Sequence, residues 1–446
     1  MTRSPLDRAI RKIYWRYLPI GLILFTALWS DQSCLSLAKL KMAQDLPAFR
    51  HSNNTETIFG LSQALYSVGI LTLQIPSITI VEKWSAYKWF SLLSIVHGFI
   101  AILTAFVTEV WQIYLQRFLL GVAGSGFFTG ILIYLSHWLP LRNRGIALSI
   151  IFMAVPIAYS IGPKISYLFI RMGTTENGIY YPTLFTLRGW QWLFVVWGII
   201  SILLSIPLYY MFTDRPSEAT WLTKDEHDAL HTELAAETKT SEASSTICQN
   251  LCHLEVLLLC IARTLMMNVE YGFDFFIPTM LDDWYHLSDN TLTWLLTIPG
   301  FITIVLIPCV GWSSDYFNER FFHTVIPLLI TIIALAILIL GQKSLIIATV
   351  SFVIVSSSLK SSYSLWWILC TSLTTQEVIA SESIGIISVF GDIGESTGPF
   401  FVGLFKDQTG SFTSSLIFLL MSAILAVATM SIVFVRVNYR RKGYTQ

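Results

Sequence analysis

Twelve long apolar runs alternate with polar stretches along the chain, at about 17–38, 58–81, 89–108, 111–138, 145–168, 190–212, 254–281, 291–312, 323–340, 345–372, 383–405 and 413–436. Each holds the ~20 apolar residues that a helix needs to cross a hydrocarbon core of ~30 Å. A segment in lipid must satisfy its own backbone hydrogen bonds, and runs this long are not barrel strands, so each predicts a membrane-spanning helix. The polar stretch 213–253, rich in Glu, Lys, Thr and Ser, divides the runs six and six. The expected organisation is an all-α membrane protein: an N-terminal six-helix half over 1–212, a cytoplasmic linker with some amphipathic helix over 213–253, and a C-terminal six-helix half over 254–446.

The halves also resemble each other. Pro76 and Pro308, Glu82 and Asp315, and Gly162-Pro163 and Gly398-Pro399 recur at a near-constant offset. Parallel repeats with a site between them near the midplane are a transporter architecture. Orientation follows from the basic residues. With the N-terminus inside, inner segments hold 17 Lys and Arg and outer loops 7, so both termini are expected in the cytoplasm. Met1 to Arg16 is short and basic, but no small-residue cleavage site ends the first run, which predicts a retained helix rather than a signal peptide.

Composition sharpens this picture by exclusion. The chain is 54% hydrophobic and 13% charged, against about a quarter charged in soluble domains. Zero net charge argues against a nucleic-acid surface. The six cysteines lie mostly in apolar runs and read as small hydrophobes; Cys248, Cys252 and His253 fit no standard zinc spacing. No phosphate-binding G-x-x-x-x-G-K loop appears, so ATP is not the expected energy source, and no nucleophile and base stand at a recognisable spacing. Neither an enzyme nor a cofactor is expected.

Several motifs, in order, carry a resemblance. The loop Gly311-Trp312-Ser313-Ser314-Asp315 to Arg320 resembles the loop 8–9 signature of the major facilitator superfamily, in which an acidic helix end pairs with a basic residue across a turn and latches a gate. The first-half copy, Glu82 to Lys88, is degraded. Trp29-Ser30-Asp31, Gln74-Ile75-Pro76-Ser77, Arg117-Phe118-Leu119-Leu120-Gly121, Gly189-Trp190-Gln191-Trp192, Asp214-Arg215-Pro216 and Gly391-Asp392-Ile393-Gly394 are together similar to the anion:cation symporter family. The match runs from about 17 to 411. The resemblance implies twelve helices in two pseudo-symmetric halves, and import of an organic anion (a sugar acid, dicarboxylate, phthalate or tartrate) with protons across a bacterial inner membrane.

Charged residues inside spans are functional candidates, because burying one at the bilayer centre costs roughly 2.5–3.5 kcal/mol on insertion scales. By resemblance, Arg117 implies a substrate-carboxylate ligand; the bland reading is a structural tie. Asp31 matches a carboxylate that takes part in proton coupling; the alternative is a helix–helix hydrogen bond. Two positions depart from the family: Gln32 stands where Arg is usual and Gly124 where Glu is usual, as though a charged pair had been deleted together. New charges appear at Lys164, Lys360, Asp392 and Glu395. The last two share one helix face. Lys360 or Lys164 is expected to neutralise this carboxylate pair, which then takes over coupling, unless these residues line a gate. Tyr363, Trp366 and Trp367 offer flat surfaces for a carbon skeleton. On span seven, Glu270 and Asp274 are one turn apart and Arg263 two turns before Glu270, which reads as a tied stripe on one helix face; the alternative is that Asp274 faces the cavity. His97 reads as a packing histidine rather than a proton relay.

The reading is therefore a monomeric secondary active transporter. Its partners are the bilayer, protons and a small organic anion or zwitterion, and it involves no nucleic acid. A proton-independent facilitator or exchanger, and a non-transporting sensor on the same scaffold, are the rivals.

Overall fold

The computed structural model of the chain describes residues 4–49, 52–176, 179–183, 185–238, 253–373 and 377–443. Long helices dominate: α1 (Pro5–Asp45), α2 (Thr55–Lys83), α3 (Ala86–Thr104), α4 (Val110–Trp138), α5 (Leu141–Phe152), α6 (Ala154–Ile170) and α7 (Gly189–Met211) precede α8 (Lys224–Thr238). Then come α9 (Leu254–Tyr285), α10 (Asp289–Tyr316), α11 (Phe321–Gly341), α12 (Leu345–Leu373), α13 (Glu377–Thr409) and α14 (Phe412–Gly443). A two-residue strand pair, Thr175–Glu176 against Ile179–Tyr180 and antiparallel, sits in the α6–α7 loop. Cys248 and Cys252 lie outside the described residues.

With α5 and α6 taken as one span, eleven of these segments are long and apolar enough to cross a membrane. The one predicted span not among them, 383–405, is helical within α13 but carries Asp392, Glu395 and many small polar residues, so apolarity alone does not mark it. It packs between α2 and α9, where protein rather than lipid surrounds its charges.

Local chemistry sets the helix ends. Ser4 accepts from the Asp7 N–H at 3.1 Å with Pro5 in the first turn of α1; Ser288 accepts from Thr291 at 3.3 Å to start α10. The predicted span 145–168 is broken between Phe152 and Ala154. Pro156 explains this: it lacks the N–H that would bond Phe152 and its ring crowds that carbonyl. Large exposed apolar residues, such as Ile298, Phe301 and Val305 on α10 and Ile330, Ile333 and Ile337 on α11, face the lipid.

The first six spans meet the last six mainly through α2 with α13 and α6 with α10, with α1 touching α9. Glycines permit the closest approach. A Cβ on Gly60 would lie 2.4 Å from the Pro399 carbonyl oxygen, and one on Gly403 would lie 2.3 Å from that of Glu56. Either contact is impossible for a larger residue without moving a helix.

At the end of the bundle away from the termini, this contact is reinforced. Asn54 gives α2 no side-chain cap. Instead Asp407, from α13, accepts from the Thr57 N–H at 2.6 Å and the Glu56 N–H at 3.4 Å. Lys41 of α1 pairs with Asp289 of α10 at 3.2 Å. Lys39, buried, pairs with Glu56 at 3.2 Å and lies 3.6 Å from the centre of the Phe276 ring.

At the terminal end, the loop Phe317-Asn318-Glu319-Arg320 joins α10 to α11. Arg320 pairs with Asp315 at 2.5 Å and donates to Ser314 at 3.0 Å. Glu319 caps α11 by accepting from Phe322 at 2.8 Å and His323 at 3.2 Å. Partial burial works against its charge, but these N–H groups and the His323 ring outweigh that and hold its carboxyl below its usual range. A Cβ on Gly311 would meet open space, so this position makes no close approach here. In the first half, Asp214 takes the capping task, accepting from the Ala86 N–H at 2.8 Å at the start of α3.

Candidate functional site between the halves

Three successive residues of α1 face three different groups of charges. A helix turns about 100° per residue, so Asp31, Gln32 and Ser33 fan outward from one turn.

Asp31 turns into the first half. Its Oδ2 lies 3.7 Å from His97 Nε2 on α3, and its charge is felt by Arg117 on α4. Both Asp31 and Arg117 are buried, at 1% and 0% exposure. None of the Arg117 guanidinium nitrogens has a hydrogen-bond partner among the described residues; the guanidinium lies 5.6 Å from the centre of the Phe194 ring. A buried cation with its donor fork unused is an expensive arrangement, and a planar anion is what that geometry accepts. His97 was legible only as a lone polar residue in an apolar run. Its acidic partner, 66 residues earlier, belongs to another helix.

Gln32 turns across to the second half. Its Nε2 donates to Glu395 Oε1 on α13 at 2.9 Å. Asp392, one turn earlier on α13, is hydrogen-bonded by Gln74 of α2 and sits in the field of Arg263 of α9. The Arg263 guanidinium lies 5.1 Å from the Trp367 ring and 5.9 Å from the fully buried Trp366. Both tryptophans therefore sit beside this cation. The side chain of Tyr363 lies outside the described residues.

Ser33 lines a small cavity of about 40 Å³ between the halves, with Ser36, Tyr159 of α6, Asp274 of α9, and Ser356 and Lys360 of α12. The cavity admits a water molecule or two rather than an organic acid. Here the structure corrects the expected pairing of Lys360 with the α13 carboxylates. Lys360 is ion-paired with Asp274 Oδ2 and its ammonium lies 4.4 Å from the centre of the Tyr159 ring. Ser356, one turn earlier on the same face, donates to the other carboxylate oxygen at 2.7 Å. Lys164 reaches towards the loop end instead. It donates to the Asn290 side chain at 3.1 Å and to Thr293 at 3.3 Å, and lies 3.9 Å from the Trp294 ring centre.

The charges thus gather inside the bundle, on faces shared by the two halves, around hydroxyls and rings that can hold a small polar molecule. Nothing in this arrangement resembles a covalent catalyst. A helical bundle with buried ions at the seam between two halves has the architecture of a membrane transporter. Comparison with known proteins gives the same class. The chain belongs to the Major Facilitator Superfamily, whose family model matches residues 20–399. It is 30% identical to a putative tartrate transporter of Agrobacterium vitis, over 94% of this chain and 91% of that protein. It is 28% identical to a quinolone resistance transporter of Acinetobacter baumannii, over 98% and 97%. In fold it is similar to the crystal structure of a D-xylose-proton symporter, with a TM-score of 0.73, 13% identity, and coverage of 93% and 97%. It is a multi-pass membrane transporter of small organic substrates, not an enzyme.

Proposed function

We propose that this chain imports a small organic anion with protons across a bacterial inner membrane, its termini in the cytoplasm. A six-helix half over 1–212 and another over 254–446, joined by 213–253, rock about the central charges as a monomer. The observation that carries this reading is the buried guanidinium of Arg117, in the field of Asp31 and with no hydrogen-bond partner among the described residues. The similarity to a putative tartrate transporter supports a hydroxylated carboxylic acid as the class of substrate. The excess of Lys and Arg in the predicted inner segments supports the orientation. With that orientation, the latch formed by Asp407, Lys41 and Lys164 lies on the outer side, so the state described is closed to the outside.

In this reading Arg117 anchors the substrate carboxylate, with Lys360 and Lys164 supplying further positive charge and Trp366 and Trp367 flanking surface. Asp31, Asp392 and Glu395 carry protons. The departures at Gln32 and Gly124 fit this scheme. A Cβ on Gly124 would lie 3.3 Å from the Tyr66 hydroxyl, which also feels the charge of Glu395. Glu395, held by Gln32, brings a carboxylate to the neighbourhood that the family's span-four Glu would otherwise serve. That favours retained coupling over a proton-independent exchanger.

The test is uptake of radiolabelled L-tartrate into proteoliposomes, with thermal shifts across sugar acids and dicarboxylates. A stabilising acid should lose its effect in Arg117→Ala. Stabilisation that persists there, or uptake unaffected by that change, removes the anchor and the reading with it.

A further inference from the structure

The ion pair between α9 and α12 is more than a tie between helices. Lys360 is 4% exposed, yet it and Asp274 line a cavity bounded by both halves. Its partners divide across the seam: the carboxylate belongs to the second half, and the Tyr159 ring under its ammonium to the first. Ser33 and Ser36 of α1 and Pro299 and Gly300 of α10 complete the walls without adding charge. The other ionisable groups facing the pair are Glu270, one turn before Asp274 on α9, and Tyr159; Arg263 acts on Glu270, and Glu395 acts on Tyr159.

We propose that Lys360 and Asp274 form a coupling switch, in which the transported carboxylate and the Asp274 carboxylate compete for one ammonium. The proposal rests on the anion-transport reading and deepens it, naming a proton carrier on α9 that the motifs do not indicate.

Charge counting gives the logic. With the pair closed, as here, the site is neutral. A substrate carboxylate added beside it makes the site negative. A proton on Asp274 alone leaves Lys360 positive and unpaired. Substrate and proton together make it neutral again. Moving a net charge through a low-dielectric seam is costly, so only the empty and the doubly loaded carrier cross readily. In the cycle a proton from outside water binds Asp274 Oδ2 and its ion pair opens. The substrate carboxylate takes the ammonium. After reorientation the substrate leaves, the proton passes from Asp274 to inside water, and the pair re-forms. One proton therefore moves with each carboxylate bound at this site, and no covalent bond of the substrate changes.

The test uses the full chain in proteoliposomes with L-tartrate as probe. Wild type should accumulate tartrate under an inward proton gradient. Asp274→Asn should lose gradient-driven accumulation by at least about tenfold while tartrate–tartrate exchange continues, because the loaded site stays neutral and only the empty return is charged. Lys360→Gln should lose both. The double variant Lys360→Gln with Asp274→Asn distinguishes a switch from a tie: a tie is satisfied by the neutral pair, whereas a switch stays broken. Gradient-driven accumulation in Asp274→Asn, or its recovery in the double variant, overturns the proposal.

A second measurement needs no substrate and separates this proposal from the Arg117 reading. Infrared spectra of Lys360→Gln at neutral pH should show a protonated carboxyl band that the double variant lacks. No such band in Lys360→Gln means that Asp274 does not take up a proton when its ammonium is withdrawn, and the switch fails whether or not tartrate is carried.

Discussion

Arg117 and Lys360 are both basic, both buried and both on helices that border the seam, yet they stand in opposite conditions. Lys360 is fully engaged, with a carboxylate, a ring and a neighbouring serine bound to the same carboxylate. Arg117 has charge nearby but no hydrogen bond to any of its nitrogens among the described residues. Pairing offsets part of the desolvation cost of a buried charge and breaking the pair exposes all of it; an idle buried guanidinium already bears that cost in full. In the proposed reading, one position receives an anion and the other must first let one go. That contrast fits an anchor in the first half and a switch in the second.

Exchanging the two chemistries gives the sharpest way to break this contrast. Arg117→Lys should reduce tartrate uptake by about 100-fold or more, since a point charge cannot reproduce two parallel bonds to a carboxylate. Lys360→Arg should cost less than about tenfold, because Asp274 accepts either cation. Equal losses in initial-rate measurements would mean that the two sites do the same work.

A smaller effect is expected at the bridge between them. Glu395→Gln keeps a hydrogen-bonding partner for Gln32 but removes an ionisable group. Accumulation under a proton gradient should fall about tenfold, with exchange less affected. Uptake that keeps its dependence on the gradient would confine coupling to Asp31, Asp392 or Asp274.

The loop-end latch tests the comparison from outside the site. Asp407→Ala removes the acceptor of two backbone N–H groups, worth about 1–3 kcal/mol each when buried. It should open that end more often. With Ser36→Cys as reporter in the cavity wall, labelling by a membrane-impermeant thiol reagent should rise several-fold over the same reporter with Asp407 intact. Unchanged labelling would mean that the latch is ornamental.

The smallest effect belongs to the terminal-end loop. Glu319→Gln should lower stability by about 1 kcal/mol at neutral pH, the usual worth of a helix cap. The carboxyl is held below its usual range, so its contribution is present above the unfolded value of about 4.3 and is lost as pH falls through the folded value. The difference in melting temperature from wild type should therefore close on acidification.

Much of this was legible in the residues. Apolar runs located the helices because lipid demands length and apolarity together. Pro156 marks the break before α6, although a scan for apolarity alone passes over it. The span 383–405 reads as one more apolar run, but the charges and small polar residues of α13 make it a helix sheltered by α2 and α9 rather than one facing lipid. Partnerships were harder. Lys360 has carboxylates available on both α9 and α13, and helical periodicity says which residues share a face but not which helix that face meets. Ser356, four residues before it, shares its face and in the structure its aspartate. His97 shows the same limit: nothing near it in sequence is acidic, and only the packing of α3 on the first-half core brings Asp31 to it.

The cap that Asp407 lends to α2 has one last consequence. A helix whose first turn is completed by a residue from the opposing half cannot part from that half intact. Each excursion to the other conformation frays the start of α2 and asks solvent to finish it. The pace of the cycle is then tied to a local melting event, and transport should slow on cooling more steeply than sliding of rigid bodies alone would require.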